Sequence, residues 1–418
     1  MFSICWFDLS QRTMTETPSL PESTQCLIVG GGPAGAILGL LMAKAGVSTV
    51  LLEKHHDFDR EFRGDTLHPS TLEVMDQLGL AERLLEIPHA KLEHARLFTA
   101  NDQIEVADFT RLRTRFPYIA IMPQEKFLEF VTAEAAKQEN FRLLLGADAR
   151  RLLWEGDTVT GVRFRYGGAE YSLNASLTVA ADGRHSRMRK ESGLTLDATG
   201  PPMDVLWLGL PREPQDADLD VSLRIRPGKM LVLLERDEWW QLGYVILKGS
   251  FRELKQHGVE VLQSSIAEMA PELADRAKLL TDWKQVMPLS VESSRLRQWH
   301  KPGLLLIGDA AHVMSPVGGV GINYAIQDAV ATANLLSGKL KRGMLTEADL
   351  KFVQKRREFP TKVIQRFQRI VQDRIIRQAL NPEKPFKLPW FLKLPLIRRI
   401  PAWLIGFGVR RERVKQSP

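Results

Sequence analysis

Residues 26–70 read CLIVGGGPAGAILGLLMAKAGVSTVLLEKHHDFDREFRGDTLHPS. The run 25–29 (QCLIV) predicts a short buried strand, 34–45 an apolar helix that Gly46 stops, and 47–53 (VSTVLLE) a second strand. That is a β-α-β unit of the right length for parallel pairing. Gly30, Gly32 and Gly35 fall on the strand-to-helix turn, with Ala34 beside the last of them. The first glycine permits a tight turn, the second lets backbone approach a pyrophosphate, and the third lets helix and strand pack closely. The helix N-terminus then faces the anion. Glu53 ends the second strand 18 residues after Gly35, with Lys54 directly behind it. A carboxylate there accepts ribose hydroxyls and favours a free 2′-OH, as in NAD or FAD, over a 2′-phosphate. The stretch therefore predicts a dinucleotide site, and the turn by itself leaves NAD and FAD both open.

The 418 residues leave room for two or three domains and a large core. With 44% hydrophobic and 26% charged residues, the composition is that of an ordinary soluble globular protein. Cys5 and Cys26 are the only cysteines. Cys26 heads an apolar run and reads as a small buried hydrophobe. Two cysteines build neither a disulfide framework nor a structural zinc site, which favours a reducing, cytoplasmic setting. The first 24 residues lack a signal peptide's basic start and sustained apolar core. No run reaches the roughly 18 apolar residues of a spanning helix.

Charge is unevenly placed. Residues 341–418 carry 20 Lys+Arg against 6 Asp+Glu, whereas the rest of the chain carries 37 against 44. A basic tail on an acidic body suits an anionic partner, either lipid headgroups or an acidic protein, or is simply a solvated basic helix. Within it, LPWFLKLPLIRRIPAWLIGFGVRRERV (388–414) has the composition of an interfacial segment. The alternative is an arm packed on the protein's own surface, which the reading favours.

Further along, Ser70-Thr71-Leu72-Glu73 after Pro69 predicts a capping box opening a helix that ends near Gly79. Residues 123–138 predict a helix, 141–181 strands with turns at 155–157 and 167–168, 203–250 strands, and 251–280 helices. GLLLIGDAAH (303–312) predicts a buried strand, and helices follow from about 322. TGPPMD (199–204) is the best candidate crossing between domains.

Two later stretches separate the dinucleotides. VAADGRHSRMR carries Asp182-Gly183 with Ser186 and Arg189 behind it, and LLLIGDAAHVMSPVGGVGINYAIQDA carries Gly308-Asp309, then Pro316, Gly318, Gly319, Gly321, Ile322 and Asn323. An acid after a buried strand can accept hydrogen bonds from ribityl hydroxyls. Glycines at 318, 319 and 321 let backbone come against a planar ring. A helix beginning near Ile322 would turn its N-terminal amides toward that ring's anionic end. With the glycine turn and RGDTLHPSTLEVMDQLGL, these resemble the fingerprints of the single-component FAD-dependent aromatic hydroxylases, the family typified by p-hydroxybenzoate hydroxylase. The resemblance spans roughly residues 24–345.

That resemblance implies an α/β fold: a Rossmann-like FAD-binding domain with a parallel sheet, interrupted by a mainly antiparallel substrate domain, then a helical C-terminal region. The expected boundaries are 1–23 (disordered), 24–92, 115–200 and 293–345 (FAD-binding), 93–114 and 201–292 (substrate), and 346–418 (basic, helical). It implies that Asp309 faces the ribityl chain, that Arg63 lies near the pyrophosphate and the NAD(P)H path, and that Gln124 contacts the flavin. Asp182 is shared between flavin binding and NAD(P)H recognition, unless it merely stabilises an Asp-Gly turn. The implied reaction uses NAD(P)H and O2 to hydroxylate or epoxidise an apolar, aromatic or polycyclic small molecule through a flavin C4a-hydroperoxide. No residue is assigned as substrate acid or base. No metal or nucleic-acid partner is expected, the protein is a monomer or homodimer, and membrane contact through 384–418 stays an option. An isoprenoid-type alkene reductase and a non-catalytic lipid-binding protein are the alternatives on the same fold. The Trp-x-Trp-x-Ile-Pro motif of flavin-dependent halogenases is not met by Trp239-Trp240.

Overall fold

The computed structural model describes residues 20–59, 65–216, 220–236, 238–383, 386–387 and 395–415. The first 19 residues, and with them most of the segment expected to be disordered, lie outside that range.

Apolar strands bounded by glycine turns assemble a parallel sheet that is buried on both faces, by helices on one side and by the antiparallel strands of residues 148–166 on the other. Its order is Leu304–Leu306, Ala169–Ala180, Ser23–Val29, Thr49–Glu53, Phe141–Leu145, all parallel. The strands Thr158–Tyr166 and Asp148–Glu155 extend it antiparallel as hairpins. The helix Pro33–Lys44 follows the first strand; ten of its twelve residues are buried, so it is a core helix and carries no polar face. It packs against the helices Gln124–Ala136 and Gly321–Lys341. Cys26 is wholly buried, and burial pushes its thiol up to about 12.

After the strand Leu196–Thr199 the chain leaves this layer and builds a second sheet. Its order is Met287–Leu289, Met203–Pro211, Trp239–Leu247, Lys229–Glu235, Val221–Arg226, His94–Phe98, Gln103–Asp108. All neighbours are antiparallel except Val221–Arg226 with His94–Phe98. Period-2 alternation sorts its side chains. Leu206, Leu208, Leu242 and Tyr244 pack on the helix Val259–Met269, while Val205, Val245, Met230 and the half-buried Trp207 face the other way, toward Val317.

The C-terminal region is helical: Glu347–Val371, a π-turn at Gln372–Ile376, and Pro395–Gly406. The last helix packs on the strand Gln103–Asp108, with Ala402, Leu404 and Phe407 buried and Ile400 and Trp403 exposed. Residues 384–385, 388–394 and 416–418 of the expected interfacial segment lie outside the described range. Among the described residues no helix is long and apolar enough to cross a membrane.

Two local expectations change. The capping box at Ser70 does not form: the helix runs Pro69–Gln77 with His68 at its N-cap and no side-chain cap. Ser70 Oγ donates to Asn323 instead, and Glu73 is taken by Arg411. The expected strand 303–312 is a strand only at Leu304–Leu306. Gly308, at φ +58°, opens a 3-10 turn over Gly308–Ala310, and His312–Val313 pairs with a different sheet.

Candidate functional site

Three sequence-distant turns meet at one end of the parallel sheet. Gly30 has φ +105°, and a Cβ on it would lie 2.4 Å from the Ala181 carbonyl oxygen, so the first turn abuts the Asp182 stretch. A Cβ on Gly35 would lie 1.9 Å from the Gly30 carbonyl oxygen, which fixes that position as glycine for packing alone. A Cβ on Gly32 would meet no atom of the described residues within 4 Å. Gly32 is the N-cap of the helix Pro33–Lys44 and supplies no side-chain cap, so first-turn amides there are left for an outside acceptor. This open, donor-rich cradle fits a pyrophosphate.

Glu53 is buried at the end of its strand. Its Oε2 accepts from the Gly31 N–H at 2.8 Å and its Oε1 from the His55 N–H at 3.0 Å. The carboxylate is thereby aimed at the glycine turn. Lys54 is exposed next to it, and Arg63 lies outside the described residues.

The third turn closes on the first. A Cβ on Gly308 would lie 3.3 Å from Ala34 Cβ and 3.2 Å from Ala325 Cβ, which draws together the starts of the helices Pro33–Lys44 and Gly321–Lys341. Asp309 is half-buried beside them, and Arg189 Nη1 donates to the Ala310 carbonyl at 2.9 Å, tying the second turn to the third. Asp182 itself is engaged locally, accepting from Ser186 Oγ at 2.5 Å and the Met188 N–H at 3.0 Å. Burial holds its carboxyl above the usual range despite those bonds.

From Pro316 to Gly321 the backbone runs half-exposed, apart from the buried Val320, with Gly318 at φ +79° and Gly319 at φ +62°. Thr66 Oγ1 donates to the Gly319 carbonyl at 3.2 Å. A Cβ on Gly321 would meet no atom of the described residues within 4 Å, and the helix beginning there lacks a side-chain cap. Ile322 follows, half-buried. Asn323 Oδ1 accepts from Ser70 and Thr71, each at 2.7 Å, while its buried Nδ2 has no partner among the described residues. Gln124 begins the helix Gln124–Ala136, half-buried, its N–H directed at Asp65.

Several residues here escape sequence reasoning. Asp328 is fully buried and accepts from the Gly308 N–H at 3.1 Å, from Arg357 Nε at 2.9 Å, and pairs with His312 Nε2 at 2.6 Å. Burial alone would raise its carboxyl, but His312 and Arg357 together hold it below the usual range. His312 is thus positional. An acid within the apolar run Tyr324–Ala333 was the available signal for Asp328. Arg236 donates to Asp65 Oδ2 at 2.9 Å and to Gln241, joining the second sheet to the segment beside Gln124. Burial lowers the Arg236 guanidinium and raises the Asp65 carboxyl, the latter against the pull of Arg236. Of the aromatic pair at 239–240, Trp240 is core and Trp239 lies on the surface under Arg236. Trp207, half-buried on the face toward Val317, is the aromatic that sequence reading overlooked.

A donor-rich glycine cradle, a strand-end carboxylate and a glycine turn that opens a second helix define a dinucleotide-binding flavoprotein. Residues 23–367 match the FAD binding domain family, and the chain belongs to it. The chain is 32% identical to 6-methylpretetramide 4-monooxygenase of Streptomyces rimosus, over 97% of this chain and 98% of that protein. It is 23% identical to a digeranylgeranylglycerophospholipid reductase of Methanocella arvoryzae, over 76% of this chain and 78% of the other. Among solved structures, PqsL of Pseudomonas aeruginosa superposes with a TM-score of 0.74 at 20% identity, covering 86% of this chain and 98% of its own. The protein is an FAD-dependent monooxygenase that takes electrons from NAD(P)H and uses O2 on a small-molecule substrate.

Proposed function

We propose that this enzyme hydroxylates an apolar, polycyclic aromatic molecule at the cleft between the two sheets. Gly30, Gly32, Ala34, Gly35, Glu53 and Lys54 would hold the adenosine diphosphate half of FAD. Gln124, Gly308, Asp309, Pro316, Gly319, Gly321, Ile322 and Asn323 would hold its flavin half, with Arg63 and Asp182 beside it. The observation that carries this reading is the convergence of the three turns, with Gly308 seated between Ala34 and Ala325. Bound FAD supplies hydride acceptance and oxygen activation. The chain's own contribution is to orient and to keep water out. Glu53 is held by two backbone amides, and two uncapped helix N-termini would favour the negative charge of the bound cofactor. The second sheet offers the apolar residues Trp207, Leu223, Val232 and Leu289 next to Val317, a surface suited to a flat, apolar substrate.

The substrate class is supported by the relative that matches along nearly its whole length and is named for 6-methylpretetramide. The alkene-reductase alternative has weaker support, at 23% identity over three quarters of the chain. The domain boundaries stated above belong to the same proposal, as do a cytoplasmic location and a monomeric or homodimeric state. Membrane contact, if made through 384–418, would use the exposed Ile400 and Trp403. The direct test is to supply 6-methylpretetramide with NADPH or NADH and follow reductant consumption and product mass. Stimulated consumption with one oxygen added supports the reading. Stimulated consumption that ends only in hydrogen peroxide would count against that substrate class.

A further inference from the structure

Away from the cofactor turns, the strand Ser293–Leu296 and the helix Glu347–Val371 flank an open groove of about 570 Å³. Arg295, Lys362, Arg366, Arg369 and Arg374 line it against one carboxylate, Asp373. Lys362, Arg366 and Arg369 recur at i, i+4 and i+7, so the helix presents them on one face. The wider π-turn at Gln372–Ile376 swings Arg374 back toward that face. Arg295 reaches in from the opposite wall and is fixed there: it donates to Gln365 at 2.7 Å, and Gln365 donates in turn to the Ser294 and Val313 carbonyls at 3.0 and 3.2 Å.

Two of the lining charges are matched, Lys362 by Glu358 at 2.6 Å and Asp373 by Arg377 at 3.3 Å. Arg366, Arg369 and Arg374 are exposed and have no ion pair or hydrogen bond among the described residues. Gathering unpaired guanidinium groups around one groove costs self-repulsion and does nothing for the core, so an anion in the groove would relieve it. The planar guanidinium fork matches phosphate oxygens two at a time. Ile370 is the sole apolar lining residue, so the groove does not suit the apolar substrate. A second cavity of about 780 Å³ shares Lys362 and adds Arg297, Lys351 and Lys355 beside the carboxylates of Glu347 and Glu358, so a weaker positive surface continues along the same helix. The extent exceeds what a single phosphate needs.

We propose that this groove is a binding site for a ligand bearing clustered phosphate oxyanions, either a soluble phosphate ester or a phospholipid headgroup. The test titrates the full-length holoenzyme with inorganic pyrophosphate by calorimetry. The expected result is saturable binding that weakens with salt and falls at least about tenfold in the R366E/R369E double variant, as loss of two charge-assisted contacts requires. A K255E/K278E variant carries the same net charge with the groove intact, and should bind as the unmodified protein does. Flotation with phosphatidylglycerol vesicles distinguishes the sources. Flotation abolished by R366E/R369E and competed by pyrophosphate assigns a headgroup; pyrophosphate binding without flotation assigns a soluble ester. No saturable binding, or equal weakening in both double variants, would overturn the site.

Discussion

Arg357 Nε donates to Asp328 Oδ1 at 2.9 Å, and both side chains are almost entirely shut off from solvent. The other oxygen of the same carboxylate accepts the Gly308 N–H, so the turn that begins the third fingerprint hangs on a buried ion pair. Glu412, near the C-terminus, closes the chain: its carboxylate pairs with Arg356 at 2.8 Å and lies 3.5 Å from Arg357. Breaking a buried pair by removing one partner strands the other charge, which typically costs about 3–5 kcal/mol. Arg357→Met is therefore expected to lower unfolding free energy by that order and to weaken FAD retention, both read by urea denaturation and flavin absorbance. Because Asp328 is held below the usual carboxylate range, its contribution is present above its unfolded value and is lost as pH falls through the lower, folded one.

The glycines of the first turn should separate folding from binding. Gly35→Ala puts a methyl on the Gly30 carbonyl and is expected to destabilise the apoprotein. A Cβ added at Gly32 would meet no atom of the described residues within 4 Å, so Gly32→Val is expected to shift the apoprotein's stability by no more than about 0.5 kcal/mol, the usual range for a surface change. FAD affinity should nonetheless drop steeply, because the added side chain occupies the anion cradle. Thermal melts of the apoproteins beside fluorescence titrations with FAD check the contrast. A Gly32→Val protein that binds FAD normally would remove the cradle from the pyrophosphate site.

His68 links the tail to the flavin side. It is fully buried, and its Nδ1 lies 2.8 Å from the Ile405 carbonyl oxygen. Burial lowers it to about 4, against the opposing pull of the Ile405 carbonyl and the nearby Gly319 backbone. An unfolded histidine takes up its proton near pH 6.5, so stability is full above that value and is lost as pH falls toward 4. The shift corresponds to roughly 3 kcal/mol, to be seen as a fall in the urea midpoint between pH 7 and pH 4.5. His68→Gln should flatten that dependence.

Trp207 lies across Gly243 of the neighbouring strand, where a Cβ would come within 2.9 Å of its ring. Gly243→Val should tilt the indole off its seat and into the proposed substrate cleft. A raised KM for a polycyclic substrate, with FAD affinity unchanged, is the expected kinetic signature. Equal effects on both would mean that the second sheet supports the cofactor instead.

The β-α-β unit, its acid and the two later turns were legible because each is local: a strand, a glycine and an acid within some 30 residues. What joins them is not. Asp65 and Arg236 meet across 171 residues, and Arg411 and Glu73 across 338. The Ser70 capping box was misread for the same reason, since Asn323 competes for the hydroxyl from another helix. The helix Pro395–Gly406 packs on the strand Gln103–Asp108, although the composition of the C-terminal arm gave no sign that Ile405 would lie against Gly318.

The most direct measurement is product mass under ¹⁸O2. The FAD-loaded enzyme is given NAD(P)H and a polycyclic aromatic substrate such as 6-methylpretetramide in labelled oxygen. The expected product carries one ¹⁸O atom per turnover and fails to form without reductant. An unlabelled product heavier by two hydrogens would contradict oxygen insertion and point to a reductase.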